Sequence, residues 1–239
     1  MSSESRSIPH FISNPKPKLK HSLLLGSSSP RRQFLMKELG YSFSLGFPEG
    51  DESFSPEMEV TKVPLYLAQK KASTFKTKIN QEIVMTADTV VILGNTILNK
   101  PVDRENAIQM LTELSGQTHL VITAVCLLSL DKTDYFDERT EVTFRKLTQS
   151  QIEKYVDACK PLDKAGSYGA QECLPRGMNP CSEEEINFLK KVNKLDLIAK
   201  SLTRSTSQDG LLAIERIIGS YFNVMGLPIH KVHERLQAF

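Results

Sequence analysis

The chain has 239 residues, a length that favours one α/β domain carrying an insertion over two complete domains. Hydrophobic residues make up 40% and charged residues 24%, the usual balance of a globular protein. The formal net charge of +2 arises from the basic N-terminal residues, and the remaining chain is close to neutral. A basic groove for nucleic acid is therefore not expected.

The cysteines and the apolar runs bear on cellular location. Four scattered cysteines form no CxxC pair and no zinc-ligand spacing, which is typical of reduced thiols. The longest apolar runs, such as Val90–Leu93, are far too short to span a membrane, and no signal-peptide core is apparent. These features predict a cytoplasmic protein without a membrane partner.

The first half of the chain alternates strand-like and helix-like segments. Residues 1–21 are predicted to form a flexible tail, because Ser, Pro and Lys dominate them. A strand at Leu23–Leu25 precedes a helix over Pro30–Leu39 with Ser29 as its N-cap. A second helix is predicted at about Pro64–Phe75.

Strands dominate the centre of the chain. Ile83–Met85 and Val90–Leu93 are predicted as two strands, separated by a polar interruption at Thr86–Thr89. Gly94-Asn95 then predicts a hairpin into Thr96–Leu98.

The next segments continue the alternation of helices and strands. A helix over Asp103–Leu114 is followed by strands at Thr118–Leu130 and Glu141–Leu147. A capping box predicts a helix over Thr148–Val156. The order of elements favours an α/β fold with a mixed sheet.

Residues 173–210 are interpreted as an insertion. One helix is predicted there from Ser182 through Leu195, followed by a polar loop over Thr203–Gly210. The chain then ends with a strand near Leu211–Ile218 and a helix after Pro228.

The strongest local motif is the loop Gly26–Ser29 between the first strand and the first helix. Unpaired N–H groups and the helix dipole make such a loop an anion site. Arg31 and Arg32 lie in the first helical turn, where each cation opposes the dipole by about 0.3–1 kcal/mol. A shared polyanion explains this placement, because the forked donors of arginine suit phosphate. A surface helix with solvated arginines is the alternative.

Asp88 lies in an otherwise apolar stretch, where aspartate is uncommon. One explanation is a carboxylate at a strand end that binds a divalent metal or activates water. The other is a turn aspartate bonded to nearby backbone N–H groups.

The remaining candidates are weak one by one. Glu52 belongs to an acidic pair in a loop, Lys71 and Lys100 are single lysines, and Gln171 follows a flexible small-residue stretch. Solvated charges and a plain turn are the alternatives. The chain has no GxxxxGK[ST] run, which argues against a P-loop NTPase.

Taken in order, these segments resemble the Maf family of nucleoside triphosphate pyrophosphatases. The matching segments are Ser27-x-Ser29-Pro30-Arg31-Arg32, Asp51-Glu52, Leu67-Ala68-x-x-Lys71-Ala72, Thr86-Ala87-Asp88-Thr89-Val90-Val91, Lys100-Pro101, Leu114-Ser115-Gly116, Val142-Thr143-Phe144, Asp163-Lys164-Ala165-Gly166-Ser167-Tyr168-Gly169-Ala170-Gln171 and Gly219-Ser220-Tyr221-Phe222-Asn223-Val224-Met225-Gly226-Leu227-Pro228. The resemblance implies one domain over residues 22–239, with a Maf/Ham1-type mixed twisted sheet, flanking helices and two lobes around a nucleotide cleft.

The resemblance also implies a reaction, the hydrolysis of a nucleoside triphosphate to the monophosphate and pyrophosphate with Mg²⁺ or Mn²⁺. Asp88 matches the proton acceptor of the family and, with Glu52, its metal site. The positions that match the family's phosphate site are Ser27, Arg31, Lys71 and Lys100. A homodimer is expected from the family alone.

Substrate choice is implied by three further positions. Arg32, Thr89 and Gln171 match the subfamily that acts on dTTP, UTP and modified pyrimidine triphosphates. An amide such as that of Gln171 can offer a donor and an acceptor to a uracil or thymine edge. The alternatives are the same hydrolysis of 7-methyl-GTP and a non-catalytic, nucleotide-binding regulator of septum formation.

Three features depart from the pattern of the family. Glu172 stands where glycine is common, and Lys160-Pro161 replaces an acidic residue before proline. The insertion follows Gln171 closely, so it could cap the pocket or alter base choice.

Overall fold

The computed structural model describes residues 17–203 and 211–239. Most of the predicted tail, residues 1–16, and nearly all of the predicted polar loop, residues 204–210, lie outside them. Residues 17–21 form neither helix nor strand. Among the described helices, none is both long and apolar enough to cross a membrane.

Within the described ranges, seven strands form one mixed sheet. They are β1 (Leu23–Gly26), β2 (Phe43–Gly46), β3 (Ile83–Leu93), β4 (Thr96–Leu98), β5 (Thr118–Leu128), β6 (Thr133–Phe144) and β7 (Ile214–Ile218). Their order is β2-β1-β3-β5-β6-β7, and β4 pairs with β3. β1 runs parallel to β2 and β3, whereas the other pairings are antiparallel.

Helices flank this sheet. They are α1 (Pro30–Glu38), α2 (Val63–Ser73), α3 (Arg104–Leu114), α4 (Gln149–Cys159), α5 (Ala170–Cys173), α6 (Glu183–Lys191), α7 (Asp196–Thr203), α8 (Tyr221–Val224) and α9 (Ile229–Ala238). The predicted N-cap of α1 is confirmed, because the Ser29 side chain accepts a hydrogen bond from the Arg32 amide. The capping box of Thr148 and Gln151 is confirmed as well. The α/β fold with a mixed sheet and flanking helices is therefore as predicted.

The two faces of β3 pack against different layers. On one face, Val84 joins Ala68 and Ala72 of α2 in a small apolar cluster. On the other, Met85 and Ala87 belong to the main core, to which α1, α3 and the C-terminal helices contribute. Because side chains alternate along a strand, Asp88 lies on the α2 face and Thr89 on the main-core face.

The predicted interruption at Thr86–Thr89 was wrong. β3 runs without a break from Ile83 to Leu93, so Asp88 lies inside a strand and not at a strand end. The reason is tertiary, since β5 pairs with β3 continuously from Val84 to Ile92.

Several other boundaries also differ from the predictions. β6 begins at Thr133 and not at Glu141, and β2, α5, α7 and α8 were not predicted. The single helix predicted from Ser182 through Leu195 ends at Lys191 as α6, and the separate helix α7 that follows was not predicted. They are separated near Asn193, whose φ of 53° lies in the left-handed region.

Candidate active site

A gap in strand pairing opens the site. β1 ends opposite Thr86 of β3, and β4 begins to pair with β3 at Val91. Between these points, that side of β3 has no strand partner in the described chain, and a cleft of about 780 Å³ lies there. All of the sequence-predicted site residues line this one cleft: Ser27, Arg31, Arg32, Glu52, Lys71, Asp88, Thr89, Lys100 and Gln171.

On the α2 face, a lysine joins two carboxylates. The Lys71 ammonium lies 2.6 Å from Oδ1 of Asp88 and 2.9 Å from Oε1 of Glu52. The position of α2 is fixed by Thr86, whose hydroxyl donates to the Ala68 carbonyl at 2.7 Å. Because Ala68 precedes Lys71 by almost one helical turn, this bond holds the lysine above Asp88.

The two carboxylates have opposite pKa shifts. Burial raises the pKa of Asp88, and the charges of Lys71 and Arg32 oppose that rise only in part. Burial also favours neutral Glu52, but the bond and charge of Lys71 outweigh it, so its pKa lies below the usual value. Asp88 is therefore the better proton acceptor of the pair, and Glu52 remains anionic.

The loop before α1 forms another wall of the cleft. The Ser27 hydroxyl is buried and accepts from the Ser29 amide at 3.3 Å. A Cβ at Gly26 would lie 2.8 Å from Cγ2 of Thr86, so glycine is required for this loop to pack against β3. Small residues here let a ligand approach the start of the helix.

The adjacent arginines have different partners. Arg31 donates from Nη1 to Asp163 at 3.1 Å; the Arg31 side chain is partly exposed and that of Asp163 is exposed. Arg32 is partly buried and is held by hydrogen bonds to the protein. The alternative of two solvated arginines on a surface helix is therefore wrong.

Arg32 uses most of its donors within the protein. Its Nε donates to the Gly226 carbonyl at 2.8 Å, and its Nη2 donates to Oγ1 of Thr89 at 2.9 Å. Its Nη1 donates to the Ala87 carbonyl at 2.9 Å and to the Ser27 hydroxyl at 3.3 Å. Desolvation lowers the pKa of Arg32 to about 10, so it stays charged at neutral pH.

Behind Arg32, the hydroxyl of Thr89 contacts that of Thr123, a residue that was not predicted from the sequence. Oγ1 of Thr89 is 2.9 Å from Oγ1 of Thr123 in β5. The Thr123 hydroxyl in turn donates to the Asn223 carbonyl at 3.0 Å. The signal that could have indicated Thr123 was a polar residue in the middle of an apolar strand.

The side chains of Gln171 and Lys100 are less constrained than that of Arg32. Gln171 lies in α5 after a short 3₁₀ turn at Ala165–Ser167, so the stretch predicted to be flexible is folded. Within the described chain, neither side chain has a hydrogen-bond or ion-pair partner. Both can therefore turn toward a ligand in the cleft.

The departure at Glu172 has a structural explanation. Its Oε2 accepts from the Tyr155 hydroxyl at 2.6 Å, and its Oε1 lies 3.6 Å from the Lys164 ammonium. Glu172 therefore anchors the turn that carries Gln171. The structure does not explain Lys160-Pro161. Five charged residues of the cleft were not predicted as site residues: Glu49, Asp51, Lys70, Asp163 and Lys164.

The inserted segment does not line the cleft. The lining residues include none of 173–203, the part of the insertion that the structure describes. The expectation that it could cap the pocket has no support in those residues. Leu189 and Leu197 instead pack into the main core.

The donor set fits a divalent cation in part. Within the described ranges, no three His, Cys, Asp or Glu side chains are grouped as a metal site. Mg²⁺, however, usually takes one or two protein carboxylates together with substrate phosphates. Asp88 and Glu52, which already share one cation in Lys71, are suited to that arrangement.

The fold and the site define an α/β protein whose cleft brings lysines and arginines next to a carboxylate pair. The chain belongs to the Maf-like protein family, whose sequence profile matches residues 22–179. It is 37% identical over 224 residues to the dTTP/UTP pyrophosphatase of Porphyromonas gingivalis strain W83, covering 92% of this chain and 95% of that protein.

Two further relatives carry the same name. The dTTP/UTP pyrophosphatase of Bacteroides fragilis (strain ATCC 25285) is 36% identical over 220 residues, covering 91% of this chain and 96% of the relative. That of Flavobacterium psychrophilum is 38% identical over 212 residues, with coverages of 88% and 91%. The resemblance inferred from the motifs is confirmed.

Proposed function

We propose that this chain is a nucleoside triphosphate pyrophosphatase that hydrolyses dTTP, UTP and modified pyrimidine triphosphates. The products are the nucleoside monophosphate and pyrophosphate. The observation that carries the proposal is the contact of Lys71 with Asp88 and Glu52, in the cleft that also contains Arg32 and Thr89. The cleft therefore places cations and a proton acceptor next to a polar surface that suits a nucleobase.

Asp88 is the proposed proton acceptor. A water molecule attacks the α-phosphorus, its proton passes to the Asp88 carboxylate, and the bond between the α-phosphorus and the bridging oxygen breaks. Burial raises the pKa of Asp88, which brings its basicity nearer to the operating pH. The nearby positive charge of Lys71 keeps the carboxylate ionised before the attack.

Phosphate binding is assigned to the cations and to the loop before α1. Arg31, Lys71 and Lys100 would neutralise the triphosphate and the departing pyrophosphate. Ser27 would add a hydroxyl beside the first turn of α1. Because Arg31 is only partly buried and its partner Asp163 is exposed, that ion pair is cheap to break when phosphate binds.

A divalent metal belongs to the proposal. Glu52 and Asp88 would hold it, because both carboxylates contact the Lys71 ammonium and the pKa of Glu52 lies below its usual value. When bound, Mg²⁺ or Mn²⁺ would neutralise phosphate charge and acidify the attacking water.

Base recognition is assigned to Arg32, Thr89 and Gln171. The amide of Gln171 can pair with the donor and acceptor on a pyrimidine edge. Arg32 and Thr89, which hold each other at 2.9 Å, would supply a fixed polar wall. The inserted segment, about residues 173–210, is not part of that wall in the residues described.

A cytoplasmic location of the enzyme is proposed on indirect support. Cys126, Cys173 and Cys181 are free thiols, in keeping with a reducing cytoplasm. A homodimer and the absence of a nucleic-acid partner remain predictions, which light scattering and a DNA-binding titration would check.

The test is pyrophosphate release from a panel of triphosphates with Mg²⁺ or Mn²⁺. We expect turnover of dTTP and UTP well above that of GTP, ATP and 7-methyl-GTP. Preference for 7-methyl-GTP or a purine would reject the pyrimidine assignment. Nucleotide binding without any turnover would favour the non-catalytic regulator.

A further inference from the structure

Glu185 is a buried carboxylate outside the cleft. It lies in the first turn of α6, within the inserted segment, and its exposed fraction is 0%. Among the described residues it has no cation at ion-pair distance. Burying an unpaired carboxylate is costly unless hydrogen bonds compensate, so its partners indicate what it does.

Both of its oxygens accept hydrogen bonds from the turn after β7. Oε1 accepts from the Ser220 hydroxyl at 2.5 Å and from the Phe222 amide at 3.0 Å. Oε2 accepts from the Tyr221 amide at 3.0 Å and from the Ser182 amide at 3.1 Å. The carboxylate therefore holds the start of α8 against α6.

From this turn, hydrogen bonds lead to β5 below the cleft. The backbone N–H of Asn223 donates to Oγ of Ser220 at 2.9 Å. Oδ1 of Asn223 accepts from the Thr123 amide at 3.0 Å, and its carbonyl accepts from the Thr123 hydroxyl at 3.0 Å. Thr123 is thus fixed at two points.

The last two links reach the site. The Thr123 hydroxyl has one proton, which it gives to Asn223, so in its 2.9 Å contact with Thr89 it accepts. Thr89 therefore donates to Thr123 and accepts from Nη2 of Arg32. With its only proton committed, the Thr89 hydroxyl can only accept from a ligand.

We infer that Glu185 is a positioning residue for substrate selection. Through the Ser220–Asn223 turn and Thr123, it fixes the place of Thr89 and Arg32 and the direction of their hydrogen bonds. The inference rests on the proposed role of Thr89 and Arg32 in reading the base. It assigns the inserted segment a role in specificity exerted from behind the wall of the cleft.

Glu185→Gln is a sharp test, because every partner of the carboxylate is a donor. Either oxygen, once replaced by an amide NH₂, faces at least one backbone N–H, of Phe222 or of Tyr221. The variant has almost the same shape as the wild type, but it cannot satisfy the turn.

The measurement is kcat and KM for dTTP, UTP and GTP with purified full-length protein. We expect Glu185→Gln to raise KM for dTTP and UTP about tenfold and to change kcat less than about threefold. The preference for pyrimidines over GTP should fall by the same factor, because Asp88 and Lys71 lie outside the hydrogen-bond chain. Glu183→Gln, which removes an exposed charge from the same turn of α6, should match the wild type.

Other outcomes would overturn the inference. One is unchanged kcat and KM in a folded Glu185→Gln variant. The other is an equal loss of kcat/KM for all three nucleotides, in which kcat falls as much as KM rises. Should Glu185→Gln not fold, Ser220→Ala decides, because it removes only the side-chain link between Glu185 and Asn223. The same selective rise in KM supports the inference, and unchanged constants reject it.

Thr89→Val separates this inference from the proposed function. If Thr89→Val leaves the pyrimidine preference intact, the assignment of the base-reading wall fails, and the inference fails with it. If Thr89→Val lowers the preference while Glu185→Gln and Ser220→Ala do not, only the hydrogen-bond chain is wrong.

Discussion

Asp88 and Thr89 are consecutive in β3, yet their side chains lie on opposite faces of the sheet. Asp88 faces α2, where Lys71 and Glu52 surround it with full charges. Thr89 faces the main core, where neutral hydroxyl and amide groups fix it through β5 and α8.

The difference shows two ways of preparing a site. The ion pairs at the cleft can be exchanged for contacts with phosphate, because Lys71 can pair with a carboxylate or with a phosphate group. The hydrogen bonds behind Thr89 are buried and saturated, so they fix geometry before any ligand arrives. The gap in strand pairing exposes both faces of β3 to one ligand.

The largest expected effect comes from the charged face. Asp88→Asn should lower kcat for dTTP about 10²–10⁴-fold, the usual contribution of a general base. Asn keeps the shape of the side chain but cannot take the proton. Steady-state pyrophosphate release checks this, with Asp131→Asn in the exposed β5–β6 turn as the matched control. Near-wild-type turnover of Asp88→Asn would exclude Asp88 as the base.

A smaller effect is expected from the hydrogen-bonded face. Arg32→Lys should lower kcat/KM for dTTP about 10–100-fold, since one nitrogen cannot replace the three that bond the carbonyls of Ala87 and Gly226 and the hydroxyl of Thr89. The preference for pyrimidines should fall as well. Arg104→Lys, which changes an exposed ion pair with Asp157, provides the control. An equal loss of kcat/KM for purine and pyrimidine triphosphates would instead assign Arg32 to phosphate binding.

Arg31 provides a further test of the comparison, because it is adjacent to Arg32 in sequence but bonds to Asp163 and not to Thr89. Arg31→Gln should raise KM about tenfold for every triphosphate and leave base preference unchanged, since a charge-assisted bond to phosphate is lost. Kinetics across the nucleotide panel measure this, and Lys37→Gln in the same helix is the control. A change in base preference would contradict the division between the two arginines.

The smallest expected effect concerns stability. Burial raises the folded-state pKa of Asp88 above its unfolded value. Its contribution to stability is therefore complete below the unfolded pKa and is lost as pH rises through the folded pKa. Asp88→Asn, which stays neutral, should thus have a higher Tm than the wild type at pH 7.

The difference in Tm should close as the pH falls toward about 4, where both side chains are neutral. Thermal unfolding across this pH range is the measurement, again with Asp131→Asn as control. A lower Tm for Asp88→Asn at pH 7 would mean that the Lys71 contact outweighs burial.

The sequence was informative where the signal is local or carried by family motifs. Ser29 before Pro30 located α1, and the ordered motifs identified each predicted residue that lines the cleft. β6 was cut short because Glu138 stands between Phe136 and Thr140 on the inward face and hides the alternation. The pairing of β5 that makes β3 continuous is likewise a long-range effect.

The partners of Arg32 were beyond sequence reasoning. Its acceptors come from the loop before α1, from β3 and from Gly226, close to the C-terminus. Glu185 reads locally as one of three acids that start a helix. Only the tertiary fold shows that it is buried against the turn at Ser220.

The bond between Arg32 and the Ala87 carbonyl has a consequence for solubility. A strand with unpaired backbone groups is a template for pairing with another chain, and proteins protect such edges with charged side chains. Where β3 lacks a neighbour, the guanidinium takes up a carbonyl that a missing strand would otherwise have bound. One side chain thus serves as edge protection at the point where the sheet must stay open to admit a nucleotide.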